Sequence, residues 1–245
     1  YMIITKTPFR IPIVGGGTDL KFFYSKFSGN LISVCFNQYI YVYLLKRNLE
    51  NKSLVQTSDT QLVNDNTKIR HNLIRETLKF FKIKDKLNIG FFSTLPTRSG
   101  IGSSSSLVVG LIKAIKIYKK LKLSKKKIAQ IAIKIEREIL KEEGGVQDQI
   151  IASYGGLKNI KINKKGEFKV RNINNENYKK FIENNFILIY SNLRRYSNKI
   201  IKSQTKNKNK TIETYKSVFF KIKEFENLIN KGNIKQIGQF FHDHW

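Results

Sequence analysis

The chain has 245 residues, enough for one large domain or two small ones, and its longest apolar run, around 32–45, is interrupted by Asn37 and Gln38, which argues against a membrane-spanning helix. A single cysteine, Cys35, excludes an internal disulfide framework and, with no secretory signal visible, favours a core thiol in a reducing, cytoplasmic compartment. The net charge of +28 is carried mostly by lysines spread through most segments, alongside abundant asparagine and isoleucine, so AT-rich codon usage explains it better than a nucleic-acid footprint does.

In chain order, Ile3–Thr5 and Phe9–Val14 read as two short strands separated by Pro8. Gly15-Gly16-Gly17-Thr18-Asp19 is a tight glycine turn, and Leu20–Phe27 a short helix with Asp19 favourably placed near its start. Asn30–Phe36 and Tyr39–Lys46 are expected to be paired strands, with Asn37-Gln38 at the bend. Leu54–Ser58 reads as a further strand. The spacing of Ile69, Leu73, Ile74 and Leu78 predicts a helix over 66–81.

A strand ending Gly90-Phe91-Phe92-Ser93 then leads into Pro96-Thr97-Arg98-Ser99-Gly100-Ile101-Gly102 and four serines, with a helix starting near Ser103. Glycines let the backbone approach a ligand, and the first N–H groups of a helix lie unpaired at the positive end of its dipole, so this is a phosphate site in outline. A serine-rich N-cap is the other reading. The stretch lacks the lysine of a Walker loop, and Ser105 stands where a Rossmann fingerprint has its third glycine.

Ser124 is expected to cap an amphipathic helix carrying Ile128, Ile131, Ile135 and Ile139 inward, ended by Gly144-Gly145. A shorter helix follows from Val146 to the glycines at 155 and 156, then strands at Leu157–Ile162 and Glu167–Arg171. The polar segment 172–185 reads as a boundary, Phe186–Tyr190 as a buried strand, and the residues beyond Ser197 as helical, with a break at Gly232-Asn233. His242 and His244 face different ways on a helix, which argues against a metal site there.

Taken together, three glycine-marked stretches resemble the GHMP small-molecule kinases. The first motif resembles Phe9 to Asp19. The phosphate loop, a proline, three residues and then Gly-Leu-Gly-Ser-Ser, resembles Pro96 to Ser104 with Ile101 in place of leucine. The stretch around the catalytic aspartate resembles Gly145-Val146-Gln147-Asp148-Gln149. The triple glycine is similar to the heptose 7-phosphate kinases and their sugar-1-kinase relatives, since galactokinases carry Glu and His at the positions of Gly16 and Gly17. Two glycines there open room for a bulkier or phosphorylated sugar.

The resemblance implies an α+β fold of mixed sheet and helices in two domains, 1–185 and 186–245. It implies transfer of the ATP γ-phosphoryl group, with Mg2+, to the anomeric hydroxyl of D-glycero-D-manno-heptose 7-phosphate, for nucleotide-activated heptose. A fucose-type sugar-1-kinase, or an inactive remnant that binds nucleotide or a partner, is the alternative.

In that reading Asp148 is the base and Arg10 orients it or stabilises the reacting charge. Gly16, Gly17, Thr18, Asp19, Gln147 and Arg195 border the sugar. Pro96, Ser99, Gly100, Ile101, Gly102, Ser103, Ser104 and Ser105 hold ATP, and Ser104 and Glu136 hold Mg2+. The competing readings are an Asp148 helix cap, a solvated Glu136 beside Arg137, an Arg10–Asp19 structural pair and, for Arg98, an exposed loop charge instead of a bidentate phosphate clamp. Family members continue past Trp245 to a third glycine-rich motif, so the second domain is expected to be incomplete and the isolated chain weakly active.

Overall fold

The computed structural model describes residues 1–96, 100–174, 176–189 and 208–244. Arg98, Ser99 and Arg195 therefore lie outside the described residues. The architecture is α+β, and the chain divides into two compact units.

The first unit takes in Tyr1–Arg10, Phe36–Glu143 and Asp148–Tyr154. Its strands are the first part of β1 (Met2–Val14), the second part of β2 (Gly29–Lys46), β3 (Ser53–Gln56), β4 (Thr60–Val63) and β5 (Leu87–Ser93). β5 runs antiparallel to β2, with Ile40 opposite Ser93 and Lys46 opposite Leu87, and parallel to β3, with Val55 opposite Ile89. A parallel pair needs a long crossover. Here it carries β4, a 3-10 turn at Asn66–Lys68 and helix α2 (Asn72–Phe80). Helices α3 (Ser103–Tyr118) and α4 (Lys125–Ile133) complete the unit with α5 (Gln147–Tyr154), all but the first residue of which belongs to it. α3 is apolar around most of its circumference, with Val108, Val109, Leu111, Ile112 and Ile115 all fully buried, so it runs through the core as few surface helices do. Each such side chain contributes about 1.5–3 kcal/mol through burial.

The second unit comprises Ile11–Cys35, Gly144–Gln147 and the described part of Gly155–Trp245. The first part of β2 pairs antiparallel with β6 (Leu157–Ile162), and β6 with β7 (Phe168–Asn172). Helices α1 (Lys21–Phe27), α6 (Glu176–Asn185), α7 (Lys208–Lys231) and α8 (Ile234–His244) belong to it. Its core is aromatic: Phe225 is fully buried and its ring lies 5.2 Å from Phe240 and 5.5 Å from Phe241. Gly232 at φ +68 ends α7, and the Asn233 side chain accepts from the Gln236 N–H at 3.1 Å to start α8.

Several expectations are corrected. Pro8 does not split β1, which pairs with β2 to one side of the main strand path. Such a strand tolerates proline where the missing N–H is not needed for pairing. Asn37-Gln38 makes no bend, and β2 is one strand of 18 residues. A tight hairpin wants residues that accept positive φ, which Asn-Gln does not supply as Asn-Gly would. The helix expected from 66 starts only at Asn72, although Ile69, Leu73, Ile74 and Leu78 are all buried.

Ile139 is exposed rather than inward, because α4 widens into a π-type turn over Lys134–Ile139 and the extra residue rotates the buried face. Residues 186–189 form no strand. Ile187 and Ile189 are 87% and 80% exposed, and a β-type sequence needs a pairing neighbour before it becomes a strand. Cys35 is of intermediate exposure, not a core residue.

Candidate active site

In the first unit, β5 delivers the chain to the loop ahead of α3. Pro96 is exposed at the end of this approach. Gly100 and Gly102 take φ +80 and +79, the left-handed region in which a side chain costs about 1–2 kcal/mol. Gly102 is the N-cap of α3, and the first N–H bonded within the helix is that of Ser106, to the Gly102 carbonyl at 2.9 Å. The N–H groups of Ser103, Ser104 and Ser105 therefore stand at the helix start without intrahelical acceptors, in the arrangement that binds anions. Ile101 lies partly buried against the core and anchors the loop.

Arg10 ties this loop to α5. Its backbone N–H donates to Ile101 O at 3.3 Å and its Nη1 to Gly100 O at 3.4 Å. Its Nε and Nη2 both reach Asp148 Oδ1, at 2.7 and 2.5 Å. That doubly held oxygen fixes the carboxylate. The other oxygen, Oδ2, makes no hydrogen bond among the described residues and lies beside Gly102, where a Cβ would stand 3.2 Å from it. Asp148 thus presents a free oxygen to the start of α3.

The four serines divide. Ser104 and Ser105 donate to Glu136 Oε1 and Oε2, each at 2.8 Å, while Ser106 donates to Pro8 O at 2.9 Å. Gln149 Nε2 also donates to Glu136 Oε2, at 2.5 Å. Glu136 is 1% exposed, so it is no solvated surface residue beside Arg137. Burial pushes its carboxyl above the usual range, outweighing the Arg137 charge and the hydrogen bonds from Gln149, Ser104 and Ser105. The π-type turn at 134–139 brings Glu136 inward.

The Ser104 hydroxyl and the Glu136 carboxylate form a pair of hard oxygen donors at a helix N-terminus, a set that fits Mg2+ beside a phosphate. Gln149 and Ser105 as partners of Glu136 escape the sequence reading. Both are ordinary polar residues until the fold brings them to the same carboxylate.

In the second unit, Thr18 is fully buried, and its hydroxyl bonds the Gly15 carbonyl at 2.7 Å and the Asn30 carbonyl at 2.8 Å. It holds the glycine turn closed against β2. Asp19 is 2% exposed and accepts from the Gln147 N–H at 3.0 Å and from Gln147 Nε2 at 3.3 Å. A Cβ on Gly145 would stand 1.7 Å from Asp19 Oδ2, so only glycine lets the two segments meet. Gln147 Oε1 is buried with no hydrogen-bond partner among the described residues. A Cβ on Gly16 would meet Pro12 at 3.5 Å, an ordinary contact. The space beside Gly17 is filled, because a Cβ there would lie 2.3 Å from Tyr215 Cζ on α7. Part of the room expected at the triple glycine is therefore taken by an aromatic ring.

Residues 72–156 match the family model for the GHMP kinases N terminal domain. The chain is 35% identical over 167 residues to D-glycero-alpha-D-manno-heptose 7-phosphate kinase of Campylobacter jejuni, an alignment covering 63% of this chain and 49% of that protein. It is 30% identical over 129 residues to mevalonate kinase of Methanocaldococcus jannaschii, covering 50% of this chain and 38% of the relative. The matched stretches thus span half or less of these curated relatives. Among solved structures, a D-glycero-D-manno-heptose 1-phosphate kinase from Bacteroides thetaiotaomicron superposes with a TM-score of 0.80 at 19% identity, covering 98% of this chain and 76% of that one. Motif order, site geometry and these likenesses agree: residues 72–156 match a GHMP kinase N-terminal domain, and the fold of the chain is shared with the heptose phosphate kinase structure.

Proposed function

We propose that the protein transfers the γ-phosphoryl group of ATP to a sugar hydroxyl, and that the acceptor is D-glycero-D-manno-heptose 7-phosphate at its anomeric position. The observation that carries the reading is the Asp148 carboxylate, with Oδ1 held by Arg10 and Oδ2 turned toward Gly102 at the start of α3. The 35% identity to a heptose 7-phosphate kinase supports the choice of acceptor.

Phosphoryl transfer asks a protein for positioning and charge stabilisation more than for covalent chemistry. The N–H groups at 103–105 and the turn at Gly100–Gly102 would cradle the ATP phosphates, with Pro96 and Ser99 as further candidates for holding the nucleotide. Mg2+, held by Ser104 and Glu136, would neutralise charge on those phosphates. Asp148 Oδ2 would accept the proton of the attacking hydroxyl, and a positioned base contributes about 10²–10⁴-fold. Arg10 would keep that carboxylate aimed and offset developing negative charge. Asp19 and Gln147, with Gly16 and Gly17 giving backbone access, would bind sugar hydroxyls; Thr18 would shape the turn. Arg195 is a further candidate at the sugar. The reaction belongs in the cytoplasm, where ATP is available.

The test is coupled ADP release by the full-length protein with heptose 7-phosphate, fucose and galactose in turn. Mg2+-dependent ADP release stimulated by heptose 7-phosphate is expected. Release that no sugar stimulates would reject the kinase reading, and stimulation by fucose alone would reject the acceptor.

A further inference from the structure

We propose that Tyr215, on α7, is a specificity-determining residue of the acceptor subsite: its phenol takes the place of a side chain at Gly17 and offers its hydroxyl to a sugar hydroxyl beside Asp19. The proposal rests on the sugar-kinase reading and deepens it.

Gly17 and Tyr215 form one device. At Gly17 the backbone takes φ +90, and an added Cβ would meet Tyr215 Cζ at 2.3 Å, Cε1 at 2.6 Å and the hydroxyl oxygen at 2.7 Å. A larger residue at 17 and a tyrosine at 215 exclude each other in this arrangement. The ring is fixed by neighbours, since Phe22 stacks on it at 6.3 Å and Phe23, fully buried, meets it edge-on at 5.9 Å. An aromatic group held in this way loses little conformational freedom on binding a ligand.

The hydroxyl lies against Gly17, two residues before Asp19, and feels the Asp19 charge. Burial, and then the Asp19 charge, push the phenol up to about 12, so it stays protonated and can donate at neutral pH. Asp19 in turn is held by Gln147, whose Oε1 is more than nine-tenths buried and has no partner among the described residues. A buried acceptor without a donor costs free energy unless something supplies one. A sugar has hydroxyls to give. Phenol, carboxylate and amide carbonyl together supply one donor and several acceptors, a complement suited to a polyol and not to an apolar acceptor.

Tyr215→Phe keeps the ring and its packing and removes only the hydroxyl. In steady-state kinetics of the full-length protein, this variant should raise the KM for heptose 7-phosphate about threefold to tenfold, as loss of one uncharged hydrogen bond does. Its kcat and its KM for ATP should stay within roughly twofold of wild type. Tyr215→Ala should also narrow the ratio of kcat/KM between heptose 7-phosphate and galactose. An unchanged sugar KM in Tyr215→Phe, or an equal rise in the KM for ATP, would overturn the proposal and leave the kinase reading standing. A wild-type protein that phosphorylates none of the sugars would overturn both.

Discussion

Glu136 and Asp148 lie twelve residues apart in the chain and meet opposite surroundings in the same unit. Glu136 is sealed in at 1% exposure among three neutral donors, Ser104, Ser105 and Gln149. Asp148 keeps 20% of its side chain exposed and faces a guanidinium. Neutral donors orient a carboxylate without cancelling its charge, and burial makes that charge costly. An ion pair through one oxygen fixes Asp148 while leaving the second oxygen free to take a proton. One carboxylate is held by neutral donors in the interior, the other by a cation at a partly open position.

That contrast can be broken in four ways. The largest effect belongs to Asp148→Asn, which should lower kcat about 10²–10⁴-fold while ATP binding, read by titration calorimetry, is kept. It removes the Asp148 charge that faces Arg10, so denaturant unfolding should also show a loss of about 2 kcal/mol, less than a fully buried pair would give. Glu136→Gln comes next. Its amide oxygen can accept from Ser105 and Gln149 and its NH2 can donate to Ser104, so the hydrogen bonds survive and only the charge goes. The Mg2+ concentration for half-maximal rate should rise about 10- to 100-fold with no loss of thermal stability. A fall in melting temperature comparable to that of Asp148→Asn would erase the distinction between the two sites.

Gly102→Ala adds a Cβ 3.2 Å from Asp148 Oδ2 at a φ of +79. It should lower kcat about 10-fold by displacing the carboxylate, with little change in the Mg2+ requirement. The smallest effect lies away from both carboxylates. Burial holds the His71 imidazole below its ordinary value, against the pull of its own backbone hydrogen bond and of Asp59. The unfolded chain binds a proton near pH 6.5 before the folded one does, so this contribution is full above that pH and is lost as pH falls through the window below it. His71→Phe should flatten that part of the stability profile, measured by denaturation at stepped pH, and leave turnover at neutral pH unchanged.

Much of the first unit's site was legible because it is written in contiguous motifs. The strand ending at Ser93, the glycines at 100 and 102 and a helix starting at Ser103 all follow from local preferences, and the structure contains them. Ser104 and Glu136, the two residues that the family resemblance names for a metal, share a hydrogen bond of 2.8 Å. What stayed hidden depends on contacts distant in sequence or on departures from regular geometry. The π-type turn that brings Glu136 in and sends Ile139 out has no local signature of its own. Gln149 acquires its partner only when α5 meets that turn. Tyr215 comes from a lysine-rich helix almost two hundred residues after the glycine it abuts, so no motif could link them. Along β2, the joining of two expected strands into one reflects the different neighbours, β6 and β5, that its two halves pair with.

Phosphorus NMR of the full-length protein incubated with ATP, Mg2+ and D-glycero-D-manno-heptose 7-phosphate tests the central claim most directly. The account predicts that the γ-phosphorus signal of ATP is replaced by a second sugar phosphomonoester signal, coupled to the anomeric proton, and that Asp148→Asn abolishes the change. A spectrum in which ATP yields only inorganic phosphate, or in which Asp148→Asn forms the same product at the same rate, would contradict it.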